Sequence, residues 1–476
     1  METEMKMGRG KKLISNTAIL AVGTFASKFL VFFMMPLYTR YLLPEEYSTA
    51  DLISQTANLL IPLACAGITN GVFRFAVDKD EDPKQIFSSG LSVLLASSIL
   101  FVLLSPLIGL FATLNSYVWL VAFYVIAANA HAVVAQYIRA KGNTLLFSLG
   151  GLMGTALTIA FNLLFLVGFD MGVEGYVLSV VLGDVVVTFV LFLWARLWRD
   201  FDPHTVAFSK VRELLKYSVP LIPTTIFWWI TSVSDRFLVI AMKGDEVNGL
   251  YAAAYKVPTL ITLVCGIFID AWQFSAISES DKKERQDFFG QVFVIFGSVL
   301  FMGASAVTLF SKVATRILLA ETYFDSWRYI PVLALAMVFY SLVSFMGSVY
   351  TVEKRSVNSL LTSAAGAITN IVLNILLIPR WSAMGAAVAT LASYLAVMLI
   401  RTADTRRFLR FSLGLPLLVV NMVLLSVQCV ITVWAPTWWI PATVGIFCLI
   451  LAINAKNILQ GIMQTLRNYL AKTKKS

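Results

Sequence analysis

Residues 78–111 read DKDEDPKQIFSSGLSVLLASSILFVLLSPLIGLF. Six of the first seven positions are charged, and the last 26 carry no charge at all. A helix needs about 20 mainly apolar residues to cross a bilayer. An uncharged run of this length, entered from a charged turn, therefore predicts a membrane span. The same pattern recurs along the chain. Fourteen segments qualify, at 13–39, 47–73, 86–111, 117–138, 145–168, 173–197, 214–242, 249–276, 287–311, 329–352, 358–379, 382–401, 410–434 and 437–457. The breaks are short: LPEEY at 43–47, RAKGN at 139–143, KGDE at 243–246, SESDKKER at 278–285 and EKR at 353–355. None leaves room for a folded domain outside the membrane. The expectation is an all-α polytopic membrane protein with 14 transmembrane helices.

Composition agrees. The 476 residues are 58% hydrophobic and 13% charged, against about 25% charged for a soluble domain. A chain with so little charge cannot coat a large globule with a solvated surface, which excludes soluble enzymes and disordered scaffolds. The net charge is nonetheless +10. With the N-terminus placed in the cytoplasm, 28 of the 37 basic residues fall in cytoplasmic segments and six in outer loops. Lys28, Arg236 and Lys256 remain inside spans. That asymmetry is the positive-inside pattern, so the basic excess predicts topology rather than nucleic-acid binding. Both termini are expected in the cytoplasm of a multi-pass cell-membrane protein. The N-terminal METEMKMGRGKK leads into a run too long for a signal peptide, which is read as a retained first helix. Trp194, Trp198, Trp381, Trp434, Trp438 and Trp439 fall at span ends, as interfacial anchors do.

Two halves of the chain are related. Lys28-Phe29-Leu30-Val31 recurs as Arg236-Phe237-Leu238-Val239, a shift of 208. Asn162 and Asn374 open similar apolar runs at a shift of 212, and Gly172-Val-Glu-Gly175 matches Ser382-Ala-Met-Gly385 at 210. Lys141 matches Lys354 at 213. The repeat unit is six helices, so both copies share one orientation, with a binding site expected between them. The predicted organisation is an N-lobe (1–210), a C-lobe (211–407) and a segment (408–476) with helices 13 and 14 and a basic tail.

Charges inside spans are costly and mark function by default. Lys28, Arg236 and Lys256 lie in the outer halves of helices expected to face the lobe interface. They are the candidates for holding an anionic group, Arg in a bidentate grip and Lys as a point charge. Pairing with Asp235 is the structural alternative. Asp184, Asp235 and Asp270 are candidates for ion coupling by H+ or Na+, against a structural, hydrogen-bonded role. Arg74 and Arg139, at the ends of helices 2 and 4, could guard a cavity mouth or simply set topology. Pro62, Pro220, Pro223 and Pro258 interrupt helices 2, 7 and 8, either for bending during transport or for static shape. The four cysteines have no CxxC spacing, and His131 and His204 form no metal or triad motif. No catalytic residue, metal site or cofactor is expected.

Residues 217–258 read YSVPLIPTTIFWWITSVSDRFLVIAMKGDEVNGLYAAAYKVP. The stretch resembles the mid-chain signature of the polysaccharide transporter family, within the multidrug/oligosaccharidyl-lipid/polysaccharide (MOP) exporter superfamily. The matching residues are Pro220, Asp235, Arg236, Asp245-Glu246, Gly249, Tyr251 and Ala254-Tyr255-Lys256. YLLPEEYSTADL at 41–52 is similar to the turn after the family's first helix, with Ser48 where the family often has Gly. ETYFDSWRYIPVLALA at 321–336 is similar to its lead into helix 10. The resemblance implies two pseudo-symmetric six-helix lobes of MATE/MOP type, plus two C-terminal helices, that alternate in access. It implies a flippase for polyprenyl-pyrophosphate-linked oligosaccharide in cell-surface polysaccharide or cell-wall synthesis, with the pyrophosphate on Lys28, Arg236 and Lys256. Membrane lipids, a polysaccharide polymerase and glycosyltransferases would be its neighbours. Fourteen helices look more like the lipid II flippase and sporulation-related members. A multidrug/cation antiporter is the other superfamily alternative, and the three intramembrane cations argue against it. A membrane glycosyltransferase is disfavoured by the absence of a large acidic loop.

Overall fold

The computed structural model describes residues 27, 29–30, 32–78, 80–278, 282–353, 355–435 and 439–473. Within these, the side chains of 112, 270–271, 273–278, 282–284, 457 and 460–473 are not described. Lys28 and Lys354 thus lie outside the described residues, as does the Asp270 side chain. Among the described residues every regular element is a helix. In chain order the first eight are α1 (Met35–Tyr41), α2 (Pro44–Ala64), α3 (Ile68–Ala76), α4 (Pro83–Leu104), α5 (Val118–Ala140), α6 (Thr144–Asn162), α7 (Gly172–Trp194) and α8 (Phe208–Ser218). There follow α9 (Ile222–Lys243), α10 (Asp245–Lys256), α11 (Thr259–Ser278), α12 (Lys282–Leu309), α13 (Ser311–Leu318), α14 (Ile330–Val352), α15 (Ser356–Thr405), α16 (Leu415–Trp434) and α17 (Trp439–Thr473).

The charged breaks in the sequence become helix starts. Pro44 and Pro83 open α2 and α4, where the missing N–H has no intrahelical partner to lose. The Asp82 carboxylate accepts from the Lys84 N–H, and Glu46 reaches back to the Leu43 N–H at 2.8 Å. Asn143 accepts from the Leu146 N–H at the start of α6. Asp245 and Glu246 sit in the first turn of α10, where the helix dipole favours negative charge.

Nine described helices are long and apolar enough to cross a membrane, or up to eleven when each of two bent pairs counts as one span. The bent pairs are α2 with α3, at 57°, and α10 with α11, at 43°. They fall at Pro62 and Pro258, two of the prolines that interrupt the sequence pattern. The expected spans 358–379 and 382–401 are the two halves of α15, two helices that meet at the non-helical Ser382 (φ 54°, ψ −141°). The expected last span appears as the shorter apolar run Ile440–Lys456 within α17. The expected first span, 13–39, lies mostly outside the described residues. Along α4 and the turn after it, Leu95, Ile99, Leu103 and Leu107 are 56–71% exposed. Spaced by four, they form one apolar stripe. Water would oppose such a surface, whereas lipid favours each residue by about 0.3–0.6 kcal/mol.

The chain divides into two compact units, Met1–Trp229 and Ile230–Ser476. The first unit has a core of Ile68, Val72, Ile86, Phe87, Val133, Tyr137, Val187, Leu191 and Leu214. Its α6 and α7 pack closely, because a Cβ on Gly183 would stand 2.6 Å from Thr158 Oγ1. The second unit is built around α14, 83% of whose apolar window is buried. Phe345 of α14 is ringed by Phe268, Trp272, Phe289, Phe293, Phe296 and Phe411 at 4.9–6.5 Å. Helices α16 and α17 join this unit through buried amides. Asn421 and Asn454 donate to each other at 2.9 and 2.7 Å, and Ser305 of α12 donates to Gln428 at 2.6 Å.

The repeat read from sequence has a structural counterpart in each unit. Gly172 (φ 56°) and Ser382 (φ 54°) both have positive φ. Three residues on, Gly175 and Gly385 both touch the chain that precedes the turn. A Cβ on Gly175 would stand 3.3 Å from the Phe165 carbonyl carbon, and one on Gly385 would stand 2.4 Å from the Leu377 carbonyl oxygen. Asn162 and Asn374 are both fully buried.

Candidate functional site

The second unit contains a polar centre within its apolar helices. Gly244 (φ 90°) ends α9 and turns the chain into α10. Tyr251 and Tyr255 lie four residues apart, on one face of α10. Tyr251 Oη donates to Asp235 Oδ2 at 2.6 Å, and the Tyr255 ring lies 4.8 Å from the Arg236 guanidinium. The adjacent Asp-Arg pair of α9 is thus read by a Tyr-x-x-x-Tyr pair of α10. Thr390 of α15 donates to the same Asp235 oxygen at 3.1 Å, and the Arg236 N–H donates to Oδ1 at 2.9 Å. Asp235 is wholly buried, and Arg236 is 5% exposed.

Around this carboxylate stands a layer of neutral polar groups. Ser234 and Asn374 donate to Asn370 Oδ1, each at 2.9 Å, and Asn370 donates to Thr390 and Ser393 at 3.4 and 3.3 Å. The buried Asn374 Oδ1 accepts no hydrogen bond. One carboxylate beside neutral oxygens is the donor set of a monovalent cation or a proton, not of a transition metal. Among the described residues no group of three or more His, Cys, Asp or Glu side chains could hold a metal ion.

The first unit holds a second charged centre. His131 Nδ1 of α5 lies 2.7 Å from Asp184 Oδ1 of α7, with both side chains about one-fifth exposed. An imidazole against a carboxylate can hold and pass a proton. In sequence His131 looks inert, because no cluster surrounds it. Its partner lies 53 positions away, on another helix, and only tertiary contact brings the two together.

The other expected residues are dispersed. Lys256 ends α10 and is half-buried. Arg139 lies between the rings of Phe73 and Phe147, at 5.0 and 5.4 Å. Arg74 is exposed, with a 3.9 Å contact to Asp78. Arg401, which no sequence pattern singles out, is 1% exposed. It donates to the Val343 carbonyl at 2.8 Å and to Thr362 at 3.1 Å, in space left by Gly347.

The sequence profile of the family described as "Polysaccharide biosynthesis protein" matches residues 13–273. No curated protein matches the chain in sequence. Among solved structures, the lipid II flippase MurJ in an inward closed conformation superposes with a TM-score of 0.70 at 15% identity, over 94% of this chain and all of that one. An inward-facing MATE-family multidrug resistance transporter of the MOP superfamily superposes at 0.64 and 15% identity, over 82% of this chain and 94% of that one. The MATE multidrug transporter DinF-BH reaches 0.60 at 16% identity, over 84% of this chain and 95% of that one. At these identities the likeness shows the fold alone, one shared with the MurJ flippase and the MATE transporters.

Proposed function

The chain belongs to the polysaccharide biosynthesis protein family, and from that premise we propose that it is a flippase for polyprenyl-pyrophosphate-linked oligosaccharide. The observation that carries the reading is an Arg held inside the membrane beside a hydrogen-bonded Asp, within the segment matched by the family profile. The pyrophosphate is a charged part of the substrate that must cross whatever glycan it carries. A guanidinium inside the span offsets the cost of bringing that charge out of water. Arg236 binds it bidentately, with Lys28 and Lys256 adding charge. In this conformation Arg236 is covered and stacked on Tyr255, so uptake requires a state in which that stack opens. The lipid chain stays in the bilayer while the two lobes alternate in access.

The driving ion is H+ or Na+. The acid–imidazole pair His131–Asp184 suits a proton. The Asp235 carboxylate with Asn374 and Thr390 suits a proton or Na+. The protein lies in the cytoplasmic membrane with both termini inside, beside the enzymes that build and polymerise the glycan. A lipid II flippase is the second reading, favoured by the full-length superposition on MurJ. The two share the pyrophosphate chemistry and differ in the sugar. The test is depletion of the protein in cells, followed by identification of the lipid-linked intermediate that accumulates in the inner leaflet. An oligosaccharide intermediate that returns to normal with wild type but not with Arg236→Ala supports the reading. Accumulation of lipid II moves it to the second substrate, and accumulation of neither refutes both.

A further inference from the structure

The segment joining α12 to α14 lies outside every long apolar span. It consists of α13 and the 3-10 turn Glu321–Arg328. Phe310, Val313 and Ile317 are 53%, 52% and 70% exposed. Their spacing of three and four places them on one face, while Lys312 and Arg316 stand four apart beside it. An apolar face flanked by basic residues is the pattern of a helix lying in the membrane interface.

The ammonium of Lys312 is 4.1 Å from the Trp327 ring centroid, and the Arg328 guanidinium is 5.9 Å from the same ring. Two cations therefore share one indole. Burial, and then the charge of Arg328, hold the Lys312 ammonium below its ordinary value. A bound anion would relieve both. Asp325 lies 3.3 Å from Arg328, but both side chains are more than half exposed, so that pair contributes little. Trp327 and Arg328 also line an open cavity of about 770 Å³, with Tyr329, Trp381, Val388 and Trp434. Trp327 is 8% exposed, whereas Trp381 and Trp434 are 55% and 59% exposed.

We propose that this cavity is a second binding site for the lipid-linked glycan, in the leaflet to which it is delivered. Arg328 in the lining holds the pyrophosphate, with Lys312 adding charge from across the Trp327 ring, the indoles of Trp381 and Trp434 hold the first sugar, and the lipid chain lies against Val388. Two adjacent cations match a pyrophosphate better than the single charge of a phosphodiester. A space of this size takes a ligand much larger than a phosphate. The two exposed indoles, Trp381 and Trp434, offer flat apolar faces with polar edges, which suits a sugar ring. The site rests on the flippase reading and on termini in the cytoplasm, which puts this end of the second unit outside.

The test uses the full chain in nanodiscs and a short-chain polyprenyl pyrophosphate that carries one N-acetylhexosamine and a benzophenone in its isoprenoid chain. After irradiation, labelled peptides are identified by mass spectrometry. The expected result is labelling of the peptide that contains Trp381–Val388. It falls at least about tenfold in Lys312→Ala/Arg328→Ala, as expected for two lost charge-assisted contacts. It persists in Arg328→Lys and in Arg236→Ala, and a large excess of phosphatidylglycerol does not displace it. Equal labelling in the double variant overturns the proposal. Displacement by phosphatidylglycerol also overturns it, because the site is then one for anionic lipid in general. Loss of this labelling in Arg236→Ala overturns a separate site while leaving the Arg236 reading intact. Normal flipping by Arg236→Ala would instead overturn that reading and leave the labelling result standing.

Discussion

The Asp235 carboxylate takes three hydrogen bonds, and its link to Tyr251 can be isolated. The bond is 2.6 Å long, buried and made to a carboxylate. Such bonds contribute about 1.5–3 kcal/mol. Tyr251→Phe removes the donor and leaves the ring, and Asp235 keeps Thr390 and the Arg236 N–H. The variant should therefore lose about 1.5–3 kcal/mol of stability. Asp235→Asn should lose more. Its one amide oxygen can face Tyr251 and Thr390, but its NH2 then meets the Arg236 N–H, donor against donor. An orphaned buried donor alone costs about 1–3 kcal/mol. In the Asn background the tyrosine bond is neutral, worth about 0.5–1.5 kcal/mol. The double variant should then show a coupling of about 1 kcal/mol between the two positions, the difference between the charged and the neutral bond. The assay is equilibrium unfolding of the purified protein in mixed micelles, on wild type, both single variants and the double. Losses that add without coupling would refute the bond, and with it the argument that α10 is docked by Asp235.

Other consequences follow from the same packing. Gly385→Ala places a Cβ about 1 Å inside contact with backbone that cannot rotate away, so it should cost at least about 3 kcal/mol, at the upper end of overpacking penalties. Gly303→Ala, which meets nothing within 4 Å, is its control in thermal unfolding. Either Asn421→Leu or Asn454→Leu should destabilise by about 1–3 kcal/mol, because each orphans a buried amide. The double Leu variant should recover most of that loss, as measured by the same unfolding experiment. Asp184→Asn should leave the fold intact and abolish the response of flipping to an imposed pH gradient, read in proteoliposomes at fixed Na+. A retained pH response in that variant would assign the proton elsewhere.

The membrane architecture was legible because a bilayer constrains sequence so strongly. The uncharged run after residue 85, and the Pro and acidic residues at 44–46, 82–83 and 245–246, read directly as span and helix start. The repeat was legible too, since Gly175 and Gly385 are required by close approach to backbone. The boundary between the expected spans 358–379 and 382–401 was legible as well, and it falls at the non-helical Ser382. Side-chain partnership was not legible. Asp235 and Tyr251 lie 16 positions apart, but Thr390 is 155 positions away and enters only through tertiary packing. His131 looked inert because its partner is on another helix. The burial of Arg401 was not legible either, because the sequence does not reveal that Gly347 opens space for a guanidinium in the core.

The central claim is that Arg236 carries the substrate's pyrophosphate through the membrane. The most direct measurement is flipping of a fluorescent polyprenyl-pyrophosphate-linked saccharide by purified protein in liposomes, scored by access of the labelled sugar to a membrane-impermeant quencher. Arg236→Ala should slow flipping by at least about tenfold, the loss expected for one charge-assisted phosphate contact. Arg236→Lys should retain part of the rate, and both variants should stay folded. Flipping by folded Arg236→Ala at the wild-type rate would contradict the claim.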